Sequence, residues 1–199
     1  MNEDDVEIVR KETAYRGFFR IDRYWLRHRL HAGGWSDVVM REVFERGHAA
    51  AVLPYDPERD AVVLIDQFRI GALAAGVNPW IAEIVAGMIE DGETAEAVAY
   101  REAEEEIGCP VRDLIKVCDY LSTPGGASEM VTLFCGRVDS ALACGVHGNK
   151  AEFEDILVYT LPLDEALARL RTGEIRNSVT IIALQWLALN RDSVRAQWR

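Results

Sequence analysis

Gly87-Met88-Ile89-Glu90-Asp91-Gly92-Glu93-Thr94-Ala95-Glu96-Ala97-Val98-Ala99-Tyr100-Arg101-Glu102-Ala103-Glu104-Glu105-Glu106-Ile107-Gly108-Cys109 is the stretch on which the reading of this chain turns. Its second half predicts a helix over 94–107, with Thr94 as N-cap and Gly108 as stop. At 100° per residue, Ala95, Ala99, Ala103 and Ile107 form an apolar stripe. With Glu102 as origin, Glu106 falls at about 40°, inside that stripe, and Glu105 flanks it. Glu102 and Glu106 stand one turn apart, where like charges repel. Glu104 faces the other way, as ordinary surface. A buried, unpaired carboxylate is costly. The counter-charge nearest in sequence is Arg101, at i,i+4 to Glu105. Acidic helix faces are commonly just solvated. Here a hard divalent cation would answer both the burial and the repulsion, because Mg²⁺ takes carboxylate oxygens and keeps waters.

The spacing is Gly87, five residues, Glu93, seven residues, then Arg101-Glu102-Ala103-Glu104-Glu105-Glu106-Ile107-Gly108-Cys109. It resembles the Nudix box, G-x5-E-x7-R-E-U-x-E-E-x-G-U with U apolar, at every specified position, with Ala103 and Cys109 as small U residues. Seven fixed glycine or polar positions over 23 residues make the match specific. The likeness extends over nearly the whole chain and is nearest to the bacterial ADP-ribose pyrophosphatase branch. That resemblance implies metal ligands at Glu102, Glu106 and the backbone carbonyl of Ala86, with Glu105 as the adjacent acid and Arg101 orienting the glutamates. It also implies two or three Mg²⁺ ions per site, with Mn²⁺ as the alternative.

Outward from the box, the chain reads as mixed strands with few helices and no internal repeat. Residues 49–54 and 61–68 are apolar runs around the turn Asp56-Pro57-Glu58-Arg59-Asp60 and suggest a buried hairpin. Strands are expected at 80–85, 114–121, 130–138 and 156–161. A short helix capped by Asp164 should reach Arg171, and a last helix should span 178–190 with Ile181, Leu184 and Leu187 on one stripe. The first 47 residues are β-rich, with short strands at 6–10 and 38–44 and a strand pair or one bent strand over 15–29. The division is therefore 1–47, an N-terminal β arm for dimerisation, and 48–199, the hydrolase domain. The fold class is α+β, an α/β/α sandwich of mixed sheets and flanking helices.

The general base of this branch lies outside the box, in a late loop. The loop here is polar, spans 143–155 and contains Glu152-Phe153-Glu154-Asp155. Loop acids are usually plain surface. With the box present, Glu152 is assigned as base, Glu154 as an acid that touches metal or substrate, and Asp155 as the weaker alternative base. Pro124 lies 15 residues past Cys109 in the turn Thr123-Pro124-Gly125-Gly126, similar to the turn of the ADP-ribose branch with Thr123 in place of Ser. By the same resemblance, Phe18 and Phe19 flank the adenine. Arg41, Glu42, Arg46 and Arg69 contact the nucleotide or its phosphates, and Glu129 the terminal ribose. Met88, Thr123, Pro124, Gly125 and Glu154 complete the expected substrate contacts.

The chain has 199 residues, is 49% hydrophobic and carries a formal net charge of −11. Such acidity repels nucleic acid backbones, so the expected partner is a small nucleoside diphosphate reached through recruited cations. Cys109, Cys118, Cys135 and Cys144 form no C-x-x-C pair and read as free thiols. No signal peptide and no apolar run of the ~18 residues that span a membrane is visible. A cytoplasmic homodimer with exchanged arms is expected. The expected reaction is metal-dependent hydrolysis of ADP-ribose to AMP and ribose 5-phosphate. GDP-mannose or another nucleoside diphosphate sugar is the rival substrate, and a non-catalytic Nudix-fold binding module is the rival class.

Overall fold

Strands that are apolar on both faces must be covered on both faces. In the computed structural model, which describes residues 2–149 and 153–198, β4 (Ala49–Asp56) and β5 (Ala61–Phe68) are such strands. Successive side chains alternate in direction. Ala51, Leu53 and Tyr55 of β4 join Val62 and Leu64 of β5 in one core. Val52, Val63 and Ile65 join a second core on the other side. α3 (Leu163–Thr172) and α4 (Ser178–Gln197) seal the first, and α2 (Ala95–Ile107) seals the second. The result is the α/β/α sandwich expected from the sequence.

The sheet runs β10 (Gly145–His147), β11 (Ile156–Pro162), β5, β4, β9 (Met130–Arg137), β8 (Leu114–Leu121). β6 (Trp80–Glu83) pairs with β5, and β7 (Val85–Met88) pairs with β4. β4 is parallel to β9, from Ala49↔Val131 to Tyr55↔Arg137, and antiparallel to β5 and β7. The sheet is therefore mixed.

The chain divides into two compact units, Met1–His48 with Leu121–Met130, and Ala49–Tyr120 with Val131–Arg199. Residues 121–130, placed with the second segment on sequence grounds, cluster with the first. Phe44 holds them by a bridge to Ala127 and by accepting from Ser128 N at 3.3 Å. The first unit is an antiparallel sheet of β1 (Val6–Arg16), β2 (Arg20–His28) and β3 (Val39–Glu45). Its arginines and aromatics pack on each other: Arg10 over Trp25, Lys11 over Tyr24, and Arg27 and Arg29 over Trp35. Much of its cationic and aromatic content is thus spent within the arm.

Several local expectations change. The segment 80–85 is two strands with different partners, split at Ile84, and Gly87 lies inside the second of them, β7. A short helix, α1 (Ile70–Ala74), was not foreseen. The 143–155 loop contains β10. Asp164 does not cap α3: Pro162 holds the N-cap position, and Asp164 instead accepts from Arg191 of α4 at 3.0 Å. The last helix continues past 190 to Gln197, because Val194 and the following Trp198 are buried in the first core. Of its expected stripe, Leu184 and Leu187 are fully buried and Ile181 only partly. All four cysteines are free. Among the described residues no helix is long and apolar enough to cross a membrane.

Candidate active site

α2 begins where Thr94 accepts from Ala97 N and ends where Gly108 turns left-handed at φ 61°. Both ends are as the sequence expects. The helix buries Val98, Ala99, Ala103, Ile107 and also Glu106 against the sheet. Glu102 leans on β7 beside Gly87. A Cβ on Gly87 would stand 1.8 Å from Glu102 Oε1, so only glycine admits the carboxylate there.

Glu106 is 6% exposed. Its Oε2 accepts from Ala86 N at 3.3 Å. The expectation at Ala86 concerned its carbonyl; its N–H is the group that meets Glu106. Burial first, and then the charge of Glu102, push the Glu106 carboxyl up to about 8, against the pull of the Ala86 N–H and of Arg69. Burial likewise raises Glu102, with Arg101 opposing. Glu154 is the third acid. Its charge acts on both glutamates, and its carboxylate accepts from Asn149 N at 3.1 Å and Gln67 Nε2 at 3.4 Å. Glu102, Glu105, Glu106, Gly148, Asn149 and Glu154 line a cleft of about 320 Å³. Glu152 lies outside the described residues.

Arg101 stands 2.8 Å from Glu102, 3.3 Å from Glu93 and 3.3 Å from Glu105. It thus pairs with three acids of its own segment. Glu93 in turn accepts from Glu90 N at 3.0 Å, which ties the entry loop to the helix. Met88 is exposed at the end of β7. Arg69 follows β5 and reaches Glu83 of β6 through Nε at 2.9 Å.

The remaining expected contacts belong to the first unit, and there Phe18, Phe19, Arg46 and Glu129 come together. Phe18 and Phe19 meet edge-on with centroids 4.8 Å apart, and Phe19 packs on Phe44. Arg46 lies over Phe19 and pairs with Glu129 at 3.2 Å. Phe18 is 88% exposed. Arg41 and Glu42 sit farther back on β3, where Glu42 pairs with Arg23 and Arg41 donates to Met40 O. Thr123, Pro124 and Gly125 form a turn closed by Gly126 N and Ala127 N on Thr123 O.

Two buried polar groups escaped the sequence reading. Gln67 ends an apolar run and aims its amide at Glu154; its Oε1 has no partner among the described residues. Glu83 is the lone charge in an apolar strand. A polar residue within an apolar strand was the available signal for both, alone at Glu83 and next to Asp66 at Gln67.

The donor set is carboxylate oxygen throughout, with one acid desolvated and under-compensated, and this fits a hard divalent cation. Among the described residues no group of three or more His, Cys, Asp or Glu side chains stands at ligand spacing around one point. The acids line the cleft without closing a shell.

Residues 45–181 match the model described as NUDIX domain. An ADP-ribose pyrophosphatase of Escherichia coli (strain K12) is 49% identical over 195 residues, covering 98% of this chain and 93% of that protein. That of Haemophilus influenzae is 43% identical, covering 100% and 93%. A GDP-mannose pyrophosphatase of Cronobacter sakazakii is 40% identical, covering 75% and 78%. A solved structure described as an ADP compounds hydrolase superposes with a TM-score of 0.71 at 20% identity, covering 97% and 96%; that likeness concerns the fold.

The raised Glu106 carboxyl has a consequence for stability. Without metal, the native state holds this proton between the ordinary 4.5 and about 8 while the unfolded chain releases it. The native state then binds more protons, so this group's contribution to stability falls as pH rises through that window. Glu106→Gln removes the titrating group. In EDTA, its thermal midpoint relative to wild type should rise steadily from pH 5 to pH 8. A difference that stays flat across that range refutes the burial argument.

Proposed function

The chain belongs to the Nudix family, and we propose that it is a metal-dependent ADP-ribose pyrophosphatase, cleaving ADP-ribose and water to AMP and ribose 5-phosphate. The observation that carries the chemistry is the Glu102–Glu106 pair, seated against Gly87 and Ala86 and too poorly compensated to stay charged alone. The choice of substrate rests on relatives named ADP-ribose pyrophosphatase that match the chain from end to end, N-terminal sheet included, whereas those named for GDP-mannose match about three quarters of it.

Glu102 and Glu106, with the Ala86 carbonyl, would hold Mg²⁺ or Mn²⁺, two or three ions per site, with Glu154 as a further acid on the loop side of the cleft. When bound, the ions would offset charge on the diphosphate and raise the acidity of water in the site. Arg101 keeps Glu102 and Glu105 in place. Glu152 takes the proton of the attacking water. The electron pair of the broken P–O bond leaves on the bridging oxygen of the departing phosphate. Arg69 contacts a phosphate; guanidinium geometry suits a bidentate hold.

The segments 1–47 and 48–199 act as arm and hydrolase domain of a cytoplasmic homodimer in which arms exchange. What supports a binding role for the arm is the cluster of Phe18, Phe19, Arg46 and Glu129, which offers an exposed aromatic face beside a fixed Arg–Glu pair. Phe18 and Phe19 flank the adenine, Arg41, Glu42 and Arg46 the nucleotide, and Glu129 the terminal ribose. Met88, Thr123, Pro124 and Gly125 are the remaining substrate contacts of this reading.

Three measurements test this reading. With Mg²⁺, kcat/KM for ADP-ribose should exceed those for GDP-mannose, ADP-glucose and NADH by about 100-fold, a gap worth roughly 2.7 kcal/mol. A preference for GDP-mannose retracts the substrate and leaves the chemistry. Glu152→Gln should lower kcat at least about tenfold; a smaller loss moves the base to Glu154 or Asp155. Light scattering on the eluting protein should give twice the 22.3 kDa chain mass, and a monomer removes the exchanged arm.

A further inference from the structure

Glu83 is a buried carboxylate that the hydrolysis above does not use. It ends β6, 5% exposed, opposite Ile65 of β5. Both its oxygens are engaged. Oε2 accepts from Arg69 Nε at 2.9 Å and stands 2.7 Å from Arg69 Nη2. Oε1 accepts from Asn177 Nδ2 at 2.7 Å. Asn177 is fixed by α4: its Oδ1 caps the helix by accepting from Thr180 N, and it also accepts from Thr180 Oγ1, each at 3.1 Å. Thr180 Oγ1 accepts in turn from Ile84 N, the residue after Glu83, at 3.1 Å. A closed ring of hydrogen bonds therefore joins the head of α4 to the β6–β7 junction.

Arg69 joins this ring from outside, through Glu83. Its side chain is 42% exposed, whereas that of Glu83 is 7% exposed. Glu83 holds the inner edge of the guanidinium, Nε and Nη2 together, on a single oxygen. The planar fork has five donors, so the outer edge, Nη1 with the second proton of Nη2, faces away from Glu83. The charge of Arg69 is felt at Glu106. A free arginine populates many rotamers, and that freedom is lost on contact with a ligand. An arginine already gripped on one edge loses little more.

We propose that Glu83 is a positioning residue for diphosphate recognition: it grips the inner edge of Arg69 and turns the outer edge toward the substrate, with Asn177 at the head of α4 holding Glu83 in place. The inference rests on the reading of Arg69 as a phosphate contact. Glu83 touches no reacting atom, so its effect appears in substrate affinity and only while Arg69 is present. A buried ion pair kept for folding alone would act on stability whether or not substrate is there.

The test is steady-state hydrolysis of ADP-ribose by wild type, Glu83→Gln, Arg69→Ala, the double variant and Asn177→Ser. Glu83→Gln should raise KM about tenfold with kcat within about twofold, the mark of lost binding that is uniform between ground and transition state. Arg69→Ala should raise KM at least as much, and adding Glu83→Gln to it should change KM no further. Serine is also a good N-cap, so Asn177→Ser keeps α4 while removing the amide donor to Glu83. It should raise KM in the same direction by about threefold, and it serves as the readout should Glu83→Gln fold poorly. If Glu83→Gln costs as much without Arg69 as with it, or leaves KM unchanged, the positioning role is overturned while the Arg69 contact stands. If Arg69→Ala itself keeps a normal KM, the phosphate contact fails, and this inference with it.

Discussion

The contact between Glu102 and Gly87 is the constraint around which the rest of the larger unit is arranged. α2 must pack closely enough on β7 for a glutamate to occupy the space of a missing side chain. That approach also lowers Glu106 into the core face and brings it to the Ala86 N–H. It needs β7 paired to β4 in the middle of the sheet and α2 seated over Val52, Val63 and Val85. Each requirement is met by ordinary apolar packing. The acids themselves oppose folding, since desolvation and mutual repulsion both disfavour their charged forms. The scaffold thus holds a destabilised pair ready for a cation, the kind of conflict expected at functional sites.

Two arginines in the larger unit divide the electrostatic work. Arg101 turns inward and spends its fork on Glu93, Glu102 and Glu105, all acids of its own segment. It orders the cluster without neutralising Glu106. Arg69 is held from behind by a carboxylate outside the box and keeps an edge for something else. Net negative charge and an anionic substrate are compatible on these terms. The chain's −11 charge sets its behaviour toward polyanions, while the charge of Arg69 is felt locally at Glu106.

In the smaller unit the same residue types serve a different balance. Arg10, Lys11, Arg27 and Arg29 lie over aromatic rings of the same sheet, so they stabilise the arm itself. Phe18 stays exposed next to Phe19, and Arg46 is fixed by Glu129. Charge and aromatic content alone did not separate these roles. The pairings across β1, β2 and β3 do.

What the sequence by itself determined was local. The helix over 94–107, its cap at Thr94, its stop at Gly108 and the inward set of Glu106 follow from a 3.6-residue period and from groups a few positions apart. The two-faced strands β4 and β5 follow from unbroken apolar runs. The box spacing led to the family without any knowledge of the sheet order. Tertiary structure decided what depends on distant partners. Glu83 meets Asn177 across 94 positions, and Gln67 meets Glu154 across 87. Asp164, expected as a helix cap, serves Arg191, 27 residues away. No periodicity encodes such pairs, because strand order and helix docking bring them together. A buried polar group takes whichever partner the fold supplies.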